Sequence, residues 1–257
     1  MIRNYDYTDA VKSIVVCGDI HGEFEGLVHK VCVQYRMTDT LVIVAGDCGF
    51  GFRKLSYYKM LYNCRIRSRL ERRNVYIAFV RGNHDDPDYF KGDTIHFNHF
   101  RTIPDYSVIS ACGQQILCVG GAVSVDRVKR VAGKDYWTGE RPVFDHNKMI
   151  ELKYEGFQID TVVAHCAPSF CENIMPPDWV FQLAEADPTL LEELKSDRMI
   201  MDTILQDLKV YHHPLRRWLY GHYHHSWQST IEGVGYTLLD CMELKEISIR
   251  TKRGQVT

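Results

Sequence analysis

The chain has 257 residues, 45% of them hydrophobic and 25% charged, with a formal net charge of −2. This is enough apolar material to bury a core, and the near balance of charge excludes a polycationic nucleic-acid sponge and an acidic disordered chain. No run approaches the ~18 apolar residues of a membrane span, and MIRNYDYTDAVKS at the start has no apolar signal core, so a cytoplasmic protein with no membrane segment and no obligate protein partner is expected.

The first β run, SIVVC (13–17), leads through GDIHG into a stretch at 23–35 with Phe24, Leu27, Val28 and Val31 at helical spacing. LVIVA (41–45) follows and ends in GDCGFG; a helical segment is expected over 56–73, with its basic run RIRSRLERR as a solvated face. VYIAFV (75–80) then ends in RGNHDD. Strand–helix–strand–helix–strand with nearly continuous apolar strands is the pattern of a parallel sheet covered by helices. The second half is richer in β signals. Strands are expected at TIHF (94–97), YSVIS (106–110), QQILCVGGAVSV (114–125), TVVAH (161–165), RRWLYGH (216–222), HSWQSTI (225–231), YTLLD (236–240) and LKEISI (244–249). Helices are expected at 145–155 and 189–208, with Pro176, Pro177 and Pro188 breaking up the region between. Residues 126–142 form a long polar stretch with little periodicity, and loops of that length in compact domains are commonly functional. No repeat or low-complexity linker appears, so a single domain over 1–257 is expected.

Nine cysteines, an odd count without a CxxC pair, argue for reduced thiols packed as small hydrophobes rather than a disulfide framework. Cys48 and Cys166 each directly follow a candidate ligand, which makes peroxide sensitivity through these two thiols an expectation to test.

The polar clusters fall at strand ends. Asp19 and His21 follow SIVVC, Asp47 follows LVIVA, Asn83, His84 and Asp85 follow VYIAFV, His165 follows TVVA, and His222 and His224 follow RRWLY. In GHYHHSW (221–227), His222 and His224 alternate with Tyr223, so on a strand-like backbone they point the same way and His225 the other. One Asp after a strand is ordinarily a cap or turn residue. Five such ends, four of them beside glycines, leave capping little room, because sites in open α/β sheets form at the carboxyl ends of strands.

The ordered series GDIHG, GDCG, GNHD, AHCAP and GHYH, spanning Asp19 to His224, resembles the calcineurin-like metallophosphoesterase superfamily. That resemblance implies a four-layer α/β/β/α sandwich with a dinuclear metal site at the C-terminal ends of the strands. Carried over residue by residue, it places Asp19, His21, Asp47 and His224 on one metal ion and Asp47, Asn83, His165 and His222 on the other. His84 is then the unligated histidine facing the substrate, with Asp85 as the partner that orients it. Two ions roughly 3.5–4 Å apart need a shared anion between them, and Asp47 with a bridging hydroxide would supply it. The mixed His/Asp/Asn set suits manganese, iron, zinc, cobalt or nickel better than magnesium or calcium.

Ser/Thr protein phosphatases of this superfamily carry GDxVDRG and GNHE, where this chain has GDCGFGF and GNHDD, so that branch is disfavoured. The expected substrate is a nucleotide, a nucleic-acid end such as an RNA end, or another small phosphodiester. Within 126–142, Asp126, Arg127 and Arg130 are candidate substrate contacts, with Tyr136 and Trp137 able to stack on a base. The alternatives are a phosphomonoesterase, a catalytically inactive protein-binding scaffold on the same fold, and a zinc-stabilised structural protein. The last lacks Cys/His finger spacing.

Overall fold

The computed structural model describes residues 1–92, 94–171 and 178–247. The N-terminal half forms β1 (Asn4–Asp6), β2 (Ser13–Cys17), α1 (Phe24–His29), β3 (Thr40–Ala45), α2 (Leu55–Met60), α3 (Arg67–Arg73) and β4 (Val75–Val80). Both expected helices of this half are present, but each widens to π-helical turns, α1 through Lys30–Gln34 and α2 through Leu61–Ile66 into α3. Then come β5 (His96–Phe97), β6 (Phe100–Thr102), β7 (Ser107–Ala111), β8 (Gln114–Val119), α4 (His146–Tyr154) and β9 (Thr161–Ala164). The described chain closes with α5 (Asp178–Ala186), α6 (Leu190–Val210), β10 (Arg217–Tyr220), β11 (Trp227–Ile231), β12 (Val234–Leu238) and β13 (Leu244–Glu246).

Two sheets result. One runs β13-β2-β3-β4-β6-β5 and the other β1-β7-β8-β9-β10-β12-β11. In the first, β2, β3 and β4 are parallel and in step, with Cys17 opposite Val44 and Ala45 opposite Val80. In the second, β8, β9 and β10 are parallel, with Val119 opposite Ala164 and Leu219 opposite Val163. The continuous apolar strands split by parity. Leu41, Ile43 and Ala45 enter the core between the sheets, while Val42 and Val44 enter the core under α1–α3. A third core packs the outer face of the second sheet against α4 and α6. The layers are therefore helix, sheet, sheet, helix, as the resemblance implied. No described helix is long and apolar enough to cross a membrane.

Several strands are shorter than their apolar runs. The run 114–125 leaves the sheet after Val119, because the Gly120 amide turns to the Asp105 carboxylate (2.8 Å) and the Gly121 amide to the Arg81 carbonyl (2.8 Å). TIHF pairs only at His96–Phe97, and RRWLYGH ends at Tyr220. Helix α5 forms where prolines were expected to break the chain; Pro176 and Pro177 lie outside the described residues, as do residues 248 and 249 of LKEISI. The basic run at the end of the second helical segment is solvated as expected, with Arg65 paired to Glu25 and Arg67 to Glu71 at half-exposed positions.

Candidate metal centre

Because β2, β3 and β4 end in register and β9 and β10 end beside them, the residues that follow converge on one edge of the sandwich. The His165 ring joins the two sheets there, its Nδ1 lying 2.8 Å from the Ala45 carbonyl oxygen. Sharp turns then swing the side chains inward. His21, Asp47, His222 and His224 all have positive φ, from +44° to +76°. Non-glycine residues rarely adopt this region, and such strain gathers at functional sites. The two loop histidines thus do not alternate on a strand: the chain turns at each of them, and this turn rather than strand parity directs their rings.

One group forms around Asp19, His21, Asp47 and His224, whose ligand atoms all lie within 4.8 Å of one another. His21 Nε2 is 3.0 Å from His224 Nε2, which is 3.1 Å from Asp19 Oδ2. A second group lies beside it. His165 Nε2 is 2.9 Å from Asn83 Oδ1 and 3.2 Å from Asp47 Oδ1, and the His222 ring packs edge-on against His165 at 4.9 Å between centroids. Asp47 belongs to both groups. Backbone amides fix the carboxylates, since His84 N–H donates to Asp47 Oδ1 (2.8 Å) and His222 N–H to Asp19 (3.1 Å).

This approach of main chain to carboxylate explains the flanking glycines. A Cβ on Gly82 would fall 2.0 Å from the Asp47 amide nitrogen and 2.1 Å from its Oδ1. Gly46 takes φ +101°, and a Cβ there would lie 2.1 Å from His165 Nδ1.

The electrostatics call for cations. Asp19 and Asp47 are buried, and among the described residues no Lys or Arg pairs with either. Burial works to raise the Asp47 carboxyl, but His165 and His84 hold it well below the usual range, so it is ionised. Burial likewise opposes charge on His165, yet Asp47 and Asp19 raise its pKa to about 9. The pocket therefore draws positive charge to the space between its carboxylates. His222 is held well below an ordinary imidazole by burial and by His165, which leaves it neutral with a lone pair to donate. Buried carboxylates, imidazoles and an amide oxygen converging with no Lys or Arg among the described residues fit divalent transition metals.

His84 stands next to this group. Arg130 lies against both ring nitrogens, Nη1 2.9 Å from Nδ1 and Nη2 3.4 Å from Nε2, and a guanidinium only donates, so the ring meets it as a neutral acceptor. Its Nε2 is 3.8 Å from Asp47 Oδ2. Burial, with Arg130 adding to it against the pull of Asp47, holds His84 below the usual imidazole value.

Asp85 departs from its expected role. Its carboxylate does not reach the His84 ring but accepts four backbone amides: Gly49 (2.7 Å) and Phe50 (2.8 Å) on Oδ1, Cys48 (3.0 Å) and Gly82 (2.8 Å) on Oδ2. It clasps the loop after β3 to the loop after β4, and so places Asp47 and Asn83 rather than charging His84. Burial and the neighbouring Asp47 raise its pKa to about 6 despite those bonds. Asp85→Asn turns two acceptor contacts into donor-against-donor contacts, so its melting temperature is expected to fall by roughly 5–15 °C. Thermal denaturation of metal-free protein tests this, and an unchanged midpoint would refute the clasp.

The three candidate substrate contacts separate. Arg130 reaches the site and is also held by both oxygens of Asp126 (2.6 and 2.8 Å). Arg127 turns away: Asp187 grips it with both oxygens, and Glu193 and Thr189 each take one further donor. Its charge ties the 126–142 stretch to α6 and the turn before it, which corrects the expectation of substrate contact. Trp137 is buried, its ring 6.0 Å from that of Phe52, so it serves as packing beneath the stretch rather than as an open stacking surface.

Sequence reasoning missed a buried chain behind Asn83. The Asn83 amide donates to Ser124 Oγ (3.0 Å), which donates to Glu140 Oε2 (2.6 Å), while Ser124 N–H donates to Oε1 (2.7 Å). This fixes which way the Asn83 amide faces, turning its oxygen to His165. Neither residue ends a strand, so the rule that singled out the ligands could not find them.

A cavity of about 270 Å³ opens beside His21, lined by Phe52, Arg53 and Tyr57 among others. A larger one of about 650 Å³ lies at the start of β10, around Arg216 and Arg217, away from the strand ends that carry the candidate ligands.

The sequence model of calcineurin-like phosphoesterases matches residues 12–226. Among solved structures, TT1561 of Thermus thermophilus is similar with a TM-score of 0.51 at 11% identity, over 93% of this chain and 100% of that one. Phosphopantetheinyl hydrolase (PptH) from Mycobacterium tuberculosis matches over 94% of this chain and 98% of its own, with a TM-score of 0.45 and 12% identity.

Proposed function

Because the chain belongs to the calcineurin-like phosphoesterase family, we propose that it hydrolyses phosphodiester bonds of nucleotides, nucleic-acid ends or other small phosphodiesters at a centre of two divalent transition-metal ions. The observation that carries this reading is the shared carboxylate: Asp47 stands in the group with Asp19, His21 and His224 and also against His165 and Asn83. Asp19, His21, Asp47 and His224 would hold one ion, and Asp47, Asn83, His165 and His222 the other. Such ions, when bound, supply Lewis acidity that activates water and offsets charge on phosphoryl oxygens.

The chain's own groups do the rest. His84 stands with its Nε2 3.8 Å from Asp47 Oδ2, where the ring can hydrogen-bond the leaving oxygen or, as imidazolium, protonate it. Arg130, held beside His84 by Asp126, presents a guanidinium to a phosphoryl oxygen. Asp126 balances much of that charge. That sharing of the Arg130 charge favours a monoanionic diester over a dianionic monoester.

A metal-reconstituted screen tests it. With manganese, cobalt or zinc loaded, bis(p-nitrophenyl) phosphate and cyclic nucleotides are expected to show kcat/KM at least about tenfold above p-nitrophenyl phosphate, a difference of about 1.4 kcal/mol. The reverse order would establish a monoesterase, and hydrolysis of neither class would favour the inactive scaffold.

A further inference from the structure

The two cysteines that adjoin candidate ligands in the sequence are not the thiols of the site. Cys48 and Cys166 are buried, with Cys48 Sγ turned to the Val80 carbonyl at 3.2 Å and Cys166 Sγ beside the Tyr223 hydroxyl at 3.6 Å. Neither sulfur is among the donors that gather at the strand ends. The thiol that does reach the centre is Cys241. Its sulfur lies in a group with ligand nitrogens of His21 and His224, all within 4.8 Å of one another.

The turn carrying Cys241 is fixed. Leu239 N–H donates to the Tyr220 carbonyl (2.9 Å), Met242 N–H to the Asp19 carbonyl (2.9 Å), and Gly18 N–H to the Glu243 carbonyl (3.0 Å). The thiol is thus tied by main chain to the strand ends that bear Asp19 and His222. It shares its group with the two histidines but not with Asp19 and Asp47, so it meets the first metal position from the solvent side. Metal–sulfur and metal–nitrogen bonds of about 2.3 and 2.1 Å keep two donors to one ion at most about 4.4 Å apart, close to the 4.8 Å span of this group.

We propose that Cys241 is a ligand of the first metal position, completing with His21 and His224 a sulfur-containing donor set that favours zinc or cobalt over manganese there. This rests on the metal-centre reading above. Coordination forms a metal–sulfur bond and releases the thiol proton to solvent, with no change of oxidation state. A thiolate is a soft donor, whereas manganese prefers carboxylate, carbonyl and water.

The test is cobalt substitution of the full-length protein, followed by absorption spectroscopy and metal analysis. Wild type is expected to bind cobalt with visible ligand-field bands and a near-ultraviolet sulfur-to-cobalt charge-transfer band. Cys241→Ser should lose the charge-transfer band yet keep bound cobalt, and Cys64→Ser, at the other exposed cysteine, should keep both. In chelator competition, Cys241→Ser should bind zinc at least about tenfold more weakly, with manganese affinity changed by less than about twofold. Bound cobalt without the charge-transfer band in wild type, or a band that survives in Cys241→Ser, would overturn the ligand role and leave the metal centre standing. Failure of wild type to bind cobalt, zinc or manganese would bring down both.

Discussion

Asp47→Asn is expected to remove metal from both positions at once. The carboxylate is buried, stands within 4.8 Å of the ligand atoms of Asp19, His21 and His224, and lies 3.2 Å from His165 Nε2. Two divalent ions held close together repel, and the charge of the group between them offsets that repulsion. An amide of the same shape keeps the volume and the loop but removes the charge. The loss of affinity should therefore exceed the roughly 10–100-fold cost of deleting an outer hydrogen-bond partner. Metal analysis after dialysis against buffer with a trace of chelator is the direct measurement, with wild type retaining about two equivalents. Two fully retained equivalents in the variant would refute the bridge. Loss of one alone would reassign Asp47 to a single ion.

His84→Ala should do the opposite, keeping the metals and losing turnover. The contact between residue 84 and Asp47 Oδ1 is made by the main-chain N–H at 2.8 Å, which alanine retains. What disappears is the ring whose Nε2 lies 3.8 Å from Asp47 Oδ2. General-acid assistance is worth about 10²–10⁴-fold, so kcat should fall by that range for an alkoxide leaving group such as a ribose hydroxyl. The fall should be smaller for p-nitrophenolate, which leaves readily without a proton. Wild-type turnover of both substrate types by a fully metallated variant would exclude His84 from the chemistry. Equal losses on both would assign the ring to phosphoryl binding, alongside Arg130.

Much of the centre was legible because one simple regularity was at work. Strands β2, β3 and β4 are buried on both faces and appear as unbroken apolar runs, and polar residues can begin only where such a strand leaves the core. The seven candidate ligands are all found there. Cys241 obeys the same rule, since it follows the strand expected at 236–240, but it stands outside the motif series and among thiols expected to pack. Asp85 was legible as a site residue but not in its role. From sequence alone an acid beside a histidine is taken as its partner, whereas four amides from two loops claim the carboxylate.

By itself, then, the sequence determined the chemistry available: which donors stand at which strand ends, the unbroken apolar strands of a buried parallel sheet, and the absence of an Arg where the protein-phosphatase block would place one. Tertiary structure decided how those groups are used. Arg127 and Arg130 are three residues apart and alike in type, yet one is spent on Asp187 and Glu193 and the other lies against His84. Ser124 and Glu140 became the support of Asn83, and Cys241 became a neighbour of His21 from the far end of the chain. Periodicity and residue type are local properties and can be found in a string. Convergence depends on strand register and on left-handed turns at His21, Asp47, His222 and His224, which only the packed sheets hold in place.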